Sequence, residues 1–428
     1  MRIILVAEVF LPKIDGVVNR TVNLIHQLVA FDDEVLVICP EAKGCVGCPV
    51  PVVEVPSFSL PLYPEYRVAL PGKDVIAAVQ DFAPDVIHYI NPFAFGFRCY
   101  DLLERAGVRP PTVFSFHTLY GEFVKRYRLL KPLSALLWWL MREFHNRADV
   151  NITVSNIMQE QLSGRGFERV GCWPPAVDVS LFNPVRESAA MRARLAGPYA
   201  DRKLLLTVSR LAPEKNVEFL AEILDDIPEA CLAVVGDGPH RPALERRFAG
   251  KAAHFVGYLK GVELAAAYAS ADAFVYASET ETMGNVVLEA MASACPVVAP
   301  RAGGIPSLLQ HGQTGLLYSP GNRDEAVRST RQLLFDPPYR LRLAAAARDW
   351  VADWSWSTAI REVRHLYEQA VKAGCDTFPR RTRRHRLASA LMTALVYGFK
   401  SLAPRDRTDT LSSEPAWKTQ QREPVLTE

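Results

Sequence analysis

A chain of 428 residues is longer than one hydrophobic core usually organises, and at roughly 100–200 residues per domain it divides into two. Apolar residues at 49% and charged residues at 22% exclude a disordered or low-complexity scaffold. Lys plus Arg at 49 against Asp plus Glu at 47 leave a net charge of +2, which excludes a general pull on nucleic acid, and eight scattered cysteines exclude a disulfide framework.

Short β-branched runs at 3–7, 34–39, 85–90, 112–117 and 150–155 alternate with segments of helical length. This alternation predicts an α/β domain built on a parallel, doubly wound sheet. The first run is cut off by Glu8 and Pro12, too soon for the apolar core of an export signal, so a cytoplasmic location is expected. Asp15-Gly16-Val17-Val18 follows that run and opens a helix, offering the amides of Gly16 and Val17 to a phosphate. It is not the GxGxxG fingerprint, which argues against a nicotinamide dinucleotide. Cys45 and Cys48 form one CxxC without the second pair that a zinc site needs.

His117 ends the fourth run, at a strand end where it either meets a reacting group or serves the core. In residues 125–142, Lys125, Arg126, Arg128 and Lys131 precede Leu133, Leu136, Leu137, Trp138, Trp139 and Leu140. Cations beside tryptophans suit an interfacial membrane helix, and equally a solvated basic face on a packed helix.

After Val170 the pattern breaks into Gly171-Cys172-Trp173-Pro174-Pro175 and a polar stretch, the best linker in the chain. The alternation restarts at 203–209, 231–236, 255–258, 273–278 and 296–299, which predicts a second Rossmann-like domain. The expected division is 1–175 and 176–354, followed by a tail at 374–428 that is partly disordered. In that tail Arg380, Arg381, Arg383, Arg384 and Arg386 precede thirteen uncharged residues, too few to span a bilayer. In two such domains facing one another, ligands bind in the cleft beyond the strand ends.

The segment from Ser278 to Met291 reads as a strand end, a loop and a helix starting near Asn285. The amides of Met283, Gly284, Asn285 and Val286 then sit at a helix N-terminus, where the dipole favours a diphosphate. Glu281 before the helix and Glu289 inside it supply two acceptors for hydroxyls, or else are acids that complement the dipole. Arg210 and Lys215 lie in one loop after the restarted alternation and suit the two phosphates of a leaving nucleoside diphosphate, or an exposed turn. Gly236-Asp237-Gly238-Pro239 is a turn where glycine permits close approach of a nucleotide, and Gly303-Gly304-Ile305-Pro306 reads either as another backbone cradle or as a strand-to-helix turn supporting the site. No Asp-x-Asp or His–carboxylate set suggests a metal or other cofactor, so the cations are expected to neutralise the diphosphate.

These residues together resemble the retaining GT-B glycosyltransferases of family four: the Arg210 and Lys215 loop, Gly236-Asp237-Gly238-Pro239, Gly303-Gly304-Ile305-Pro306 and the E-x7-E element from Glu281 to Glu289. The resemblance covers residues 1–373 and implies two facing Rossmann-like domains, with 355–373 packing back on the first. It further implies that Glu289 holds the donor ribose and that Arg210 and Lys215 hold the diphosphate. Gly16 and the amides about Gly284 would line its edge, Glu281 would bind the transferred sugar, and His117 would contact that sugar near the reacting carbon. Asp237, Gly238 and Tyr258 belong to the donor side, and Lys125, Arg126, Arg128, Lys131, Trp138 and Trp139 to the membrane and acceptor side.

Within the family, Phe10-Leu11-Pro12-Lys13-Ile14-Asp15-Gly16-Val17, Leu60-Pro61-Leu62-Tyr63-Pro64-Glu65 and Phe255-Val256-Gly257-Tyr258-Leu259 are most similar to the sulfolipid-forming group. That implies a UDP-sugar donor, UDP-sulfoquinovose, and diacylglycerol as acceptor, at the inner face of an anionic membrane. Lipid-directed α-mannosyltransferases that use GDP-mannose are the next most similar. The chain departs from the family at Pro174-Pro175-Ala176, where relatives carry a cation and a glycine, and at Ala294-Cys295. Those departures and the tail leave a catalytically silent scaffold as the reading of another class.

Overall fold

The computed structural model describes residues 1–13, 15–40, 48–60, 63–118, 131–374 and 382–402. The chain forms two compact units. The first takes residues 1–153, 159–173 and the described residues from 360 on, and the second takes 154–158 and 174–359. Cys45, Lys125, Arg126, Arg128, Arg380 and Arg381 lie outside the described residues.

In the first unit the strands are β1 (Arg2–Ala7), β2 (Glu34–Cys39), β3 (Val52–Glu54), the hairpin β4 (Ser57–Leu60) and β5 (Tyr63–Ala69), β6 (Val86–Ile90), β7 (Thr112–Ser115), β8 (Val150–Thr153) and β9 (Val170–Cys172). Seven of them form one sheet in the order β3-β2-β1-β6-β7-β8-β9, with parallel pairs throughout. Residues 3–7 are all fully buried, as expected for a parallel strand covered on both faces. The sequence pattern ran past β7 and β8 by two residues each and missed β3, β9 and the hairpin. β9 escapes because it is a three-residue edge strand with a glycine inside it. A Cβ on Gly171 would stand 2.7 Å from Leu366, so the glycine admits the covering helix Trp356–Gly374.

That helix docks on the first unit through polar pairs as well as packing. Arg364 donates to both oxygens of Asp33, at 2.9 and 3.2 Å, and the Tyr367 hydroxyl lies 2.7 Å from His88 Nδ1. Tyr367 and His88 are fully buried, and burial drops the imidazole to about 3, so His88 is neutral and its ring nitrogen needs that partner. The helix Arg383–Leu402 also belongs to this unit and packs on the helices Ala94–Arg105 and Ser134–His145.

In the second unit β10 (Lys203–Val208), β11 (Ala230–Val235), β12 (Ala253–Gly257), β13 (Ala273–Val275), β14 (Val297–Pro300) and β15 (Leu316–Tyr318) form a parallel sheet ordered β12-β11-β10-β13-β14-β15. Both sheets reverse strand order once, at β1/β6 and at β10/β13, which makes each unit a doubly wound, Rossmann-like α/β fold. At such a reversal the loops leaving neighbouring strands diverge, opening a crevice that only long side chains or a ligand fill.

Replacing Tyr367 by Phe leaves a fully buried imidazole nitrogen without its hydroxyl. Chemical unfolding of the first unit should lose about 1–3 kcal/mol, and an unchanged unfolding midpoint would remove this pair from the docking of the helix.

Candidate active site

The reversal at β10/β13 brings together the two loops that the sequence singled out. The loop after β10 carries Arg210 and, in a single 3-10 turn at Pro213–Lys215, Glu214 and Lys215. Asn216 ends that turn in the left-handed conformation and turns Lys215 back toward the sheet end. The loop after β13 carries Tyr276, Ser278 and Glu281. Lys215 Nζ donates to Glu281 Oε1 at 2.6 Å, and the hydroxyls of Tyr276 and Ser278 donate to the same oxygen at 2.8 and 2.6 Å. Burial raises the Glu281 carboxyl, but the ammonium and these hydrogen bonds outweigh it and hold the group below its ordinary value. Glu281 is therefore a fixed carboxylate. Arg210 pairs with Glu214, so each cation assigned to a diphosphate carries a carboxylate partner.

Glycine makes this arrangement possible for a reason the sequence reading did not give. A Cβ on Gly236, at φ 122°, would stand 2.0 Å from the Ser209 carbonyl, and one on Gly303, at φ 57°, 2.3 Å from the Glu281 carbonyl. The close approach is thus between strand-end loops: the Leu211 amide donates to Asp237 O at 2.9 Å and the Gly304 amide to Glu281 O at 2.7 Å. Asp237 is occupied locally, accepting from the Gly238 amide at 2.7 Å and from Arg241 at 2.9 Å. Tyr258, 57% exposed, donates to Asp237 O at 3.3 Å and presents its ring to solvent at the rim.

The helix Asn285–Ala292 begins where the sequence expects it, with Gly284 as its N-cap at φ 101°. The amides of Gly284, Asn285 and Val286 take no acceptor among the described residues, whereas the Val287 amide returns to Gly284 O at 2.9 Å. Met283 is buried and braces the loop. Glu289, one turn in, accepts from Tyr268 at 2.9 Å. Burial pushes its carboxyl up to about 7, with the tyrosine only partly opposing the rise. The buried Tyr276 phenol lies in the field of both carboxylates, Glu281 more than Glu289, and is raised accordingly after burial itself. Sequence reasoning missed Tyr268, Tyr276 and Ser278. The signal for the last two was present, since residues two apart on a strand end point the same way.

In the first unit, Asp15 is the N-cap of the helix Gly16–Ala30, and its Oδ1 accepts from the amides of both Val17 and Val18 at 2.9 Å. The Val17 donor expected for a phosphate is therefore already engaged, by a cap that the Asp-Gly sequence itself supplies. His117 lies two residues beyond β7 rather than in it, 5% exposed, with Nε2 3.0 Å from Ser115 Oγ and its ring edge-on to Trp173 at 5.5 Å. Burial first, then Arg20 and His88, keep it neutral well below its ordinary pKa. Arg20, 2% exposed, stacks over Trp173 at 4.3 Å, and burial lowers it to about 9. Neither Arg20 nor Trp173 was singled out for this centre.

Of the expected membrane-side residues, Lys131 opens the 3-10 turn Lys131–Leu133, and Trp138 and Trp139 lie on the helix Ser134–His145. Trp138 turns inward, under the Arg165 guanidinium at 4.4 Å and edge-on to Phe167 at 6.1 Å. Leu133 and Leu136 are the large apolar side chains this segment exposes among the described residues. The structure also joins a His–carboxylate set that spacing did not reveal: His385 Nε2 lies 3.6 Å from Asp101 and 4.0 Å from Glu104. Among the described residues no helix is long and apolar enough to cross a membrane.

Comparison with known proteins gives the family and the fold. Residues 14–181 match the family model Glycosyltransferase Family 4 and residues 202–336 the model Glycosyl transferases group 1. The chain is 36% identical to the sulfoquinovosyl transferase SQD2 of Arabidopsis thaliana, over 82% of this chain and 70% of that one. It is 31% identical to a GDP-mannose-dependent alpha-mannosyltransferase of Corynebacterium glutamicum, over 87% and 89% respectively. The crystal structure of Anabaena HepE in complex with UDP-glucose matches with a TM-score of 0.68 at 20% identity, over 85% of this chain and 98% of that one.

A carboxyl raised to about 7 binds its proton in the folded state at pH values where the unfolded chain has released it. Stability contributed by Glu289 is thus present at low pH and is lost as pH rises from about 4.5 to about 7. Glu289→Gln removes that slope. Unfolding at pH 5 and pH 8 should shift in favour of the variant by up to about 3 kcal/mol as pH rises, and a pH-independent difference would contradict the raised carboxyl.

Proposed function

The chain belongs to the GT-B glycosyltransferases of family four and takes its sugar from a nucleotide donor, and from that premise we propose that it transfers sulfoquinovose from UDP-sulfoquinovose to diacylglycerol. The transfer retains anomeric configuration and needs no metal, and the protein works as a peripheral enzyme on the cytoplasmic face of a membrane. The observation that carries this reading is the Lys215–Glu281 pair fixed by Tyr276 and Ser278 at the β10/β13 reversal, beside a helix N-terminus with three amides that take no acceptor among the described residues.

In this reading the donor lies along the second unit. Its diphosphate takes the amides of Gly284, Asn285 and Val286, where the helix dipole adds to three N–H donors. Glu289 accepts from the ribose hydroxyls, and binding a diol there favours the ionised carboxyl over the protonated one. Among the described residues the three side-chain donors to Glu281 converge on Oε1, which leaves Oε2 for a hydroxyl of the transferred sugar. Tyr258 offers an exposed ring to the base.

As the bond between the anomeric carbon and the diphosphate breaks, negative charge grows on the leaving oxygen. Lys215 and Arg210 are already aligned by their carboxylate partners, so they answer that charge without reorganising. The acceptor hydroxyl attacks on the face the diphosphate leaves, and the departing phosphate oxygen takes its proton. The sugar thereby keeps its configuration. In the first unit His117, neutral and held by Ser115, offers a hydrogen-bonding group that adds no charge of its own.

The choice of sulfoquinovose is supported by the plant relative, a sulfoquinovosyl transferase, and by the strings around Phe10, Leu60 and Phe255. GDP-mannose is the second reading, favoured by the mannosyltransferase that aligns over nearly its whole length. Purified protein offered UDP-sulfoquinovose and GDP-mannose separately, with diacylglycerol in detergent micelles, should form sulfoquinovosyl diacylglycerol. Lys215→Ala should lower kcat by about 100–1,000-fold. Mannolipid as the product would reassign the donor, and turnover unaffected in Lys215→Ala would remove the charge-stabilising role.

A further inference from the structure

The helix Arg383–Leu402 is amphipathic in an inverted sense. Over residues 383–394 its buried positions, 385, 388, 389 and 392, recur at helical spacing and bring His385, Ala388, Ser389 and Met392 against the body. Two of those four side chains are polar. The positions between them are exposed and carry Leu387, Ala390, Leu391 and Ala394, with Arg383, Arg384 and Arg386 collecting at the N-terminal end. Leu387 is 55% and Leu391 38% exposed. A helix that only covered the body would turn its leucines inward.

The inward face is held by a polar clamp. Ser389 bonds Asp101, Arg105 donates to Ser389 Oγ at 3.3 Å, and Arg98 donates to Thr393 Oγ1 at 3.2 Å. The His385 ring sits beside both Asp101 and Glu104 and stacks edge-on to Phe144 at 5.1 Å. Arg147 pairs with Glu104 and Arg105 with Asp101, so the buried carboxylates are already balanced, and what the cluster does is fix the helix with one face outward. The adjoining helix Ser134–His145 exposes Leu136 on its own account, and Leu133 just ahead of it.

We propose that this outward face is a second membrane-contact element, a clamped interfacial helix whose leucines enter the headgroup boundary of an anionic bilayer while its arginines bind lipid phosphates. Charge decides the occupant: three arginines at one end of an apolar face repel another copy of the same face and match an anionic surface. The choice of a membrane rests on the lipid-directed function proposed above. The clamp gives the helix a rigid orientation, so contact with lipid orients the whole first unit.

The test is flotation of the full chain with vesicles of phosphatidylcholine alone and of equal parts phosphatidylcholine and phosphatidylglycerol. Wild type should float with the anionic vesicles and release with salt. Leu387→Glu with Leu391→Glu, and separately Arg383→Ala with Arg384→Ala and Arg386→Ala, should lower the bound fraction about tenfold or more. All five positions are exposed, so melting temperature and transfer to diacylglycerol in micelles should stay at the wild-type level. Wild-type flotation of both variants would overturn the inference, as would variants that change oligomeric mass but not vesicle binding. If wild type makes no glycolipid in micelles yet its flotation depends on this face, the proposed function fails and the membrane element stands.

Discussion

Everything assigned to the second unit depends on the short contact between the Lys215 ammonium and the Glu281 carboxylate. Two ions brought this far out of water lose hydration that their mutual attraction restores only when further hydrogen bonds complete the site. Tyr276 and Ser278 supply those bonds, and Tyr276 is held in turn, its carbonyl accepting from Tyr318 at 2.8 Å. The loops carrying the two ions come from neighbouring strands at the sheet's reversal, so the pair also fixes the separation of the crevice walls.

That constraint explains why glycines cluster at these strand ends. The loop after β10 packs backbone to backbone on the turn after β11, and the loop after β13 on the turn after β14, at distances where any Cβ would overlap a carbonyl. The glycines serve protein packing first, and the ligand contacts are left to amides and long side chains. The two glutamates then diverge because of their surroundings. Glu281 has a cation and stays ionised, whereas Glu289 has only a phenol and sits near neutrality. One carboxylate is suited to a constant polar contact and the other to a contact whose strength follows the ligand.

Much of this was legible in the sequence because parallel sheets write strongly. Buried β-branched runs separated by helical lengths gave both doubly wound units, and the helix start at Asn285 followed from the glycine before it. Glu281, Arg210 and Lys215 were singled out by position in strand-end loops, and Glu289 by its place one turn into the helix that follows. Their pairing was not legible, since opposite charges 66 residues apart in the chain carry no periodic signal. β3 and β9 were lost because three residues show too little alternation to recognise, and the hairpin at residues 57–69 because its pairing shifts register between Ser59 and Leu60. The Asp15 cap was readable and its consequence was overlooked: an N-cap aspartate takes the Val17 amide, one of the two expected to face a phosphate.

The first unit carries a different physical logic, in which buried polar groups fix positions rather than answer charge. Glu8 is buried and accepts from the amides of Phe93, Phe95 and Gly96, capping the helix Ala94–Arg105 from the end of the neighbouring strand. Burial raises its carboxyl while those amides oppose the rise, so the group holds a helix terminus rather than a ligand. The same helix carries Asp101 and Glu104 at its other end, where they grip the helix Arg383–Leu402. A single helix thus ties the sheet's reversal point to the outermost element of the unit, with a polar anchor at each end. Apolar packing alone would let that outer helix roll and bury its leucines, and directional hydrogen bonds from Asp101 and Arg98 are what hold the leucines outward.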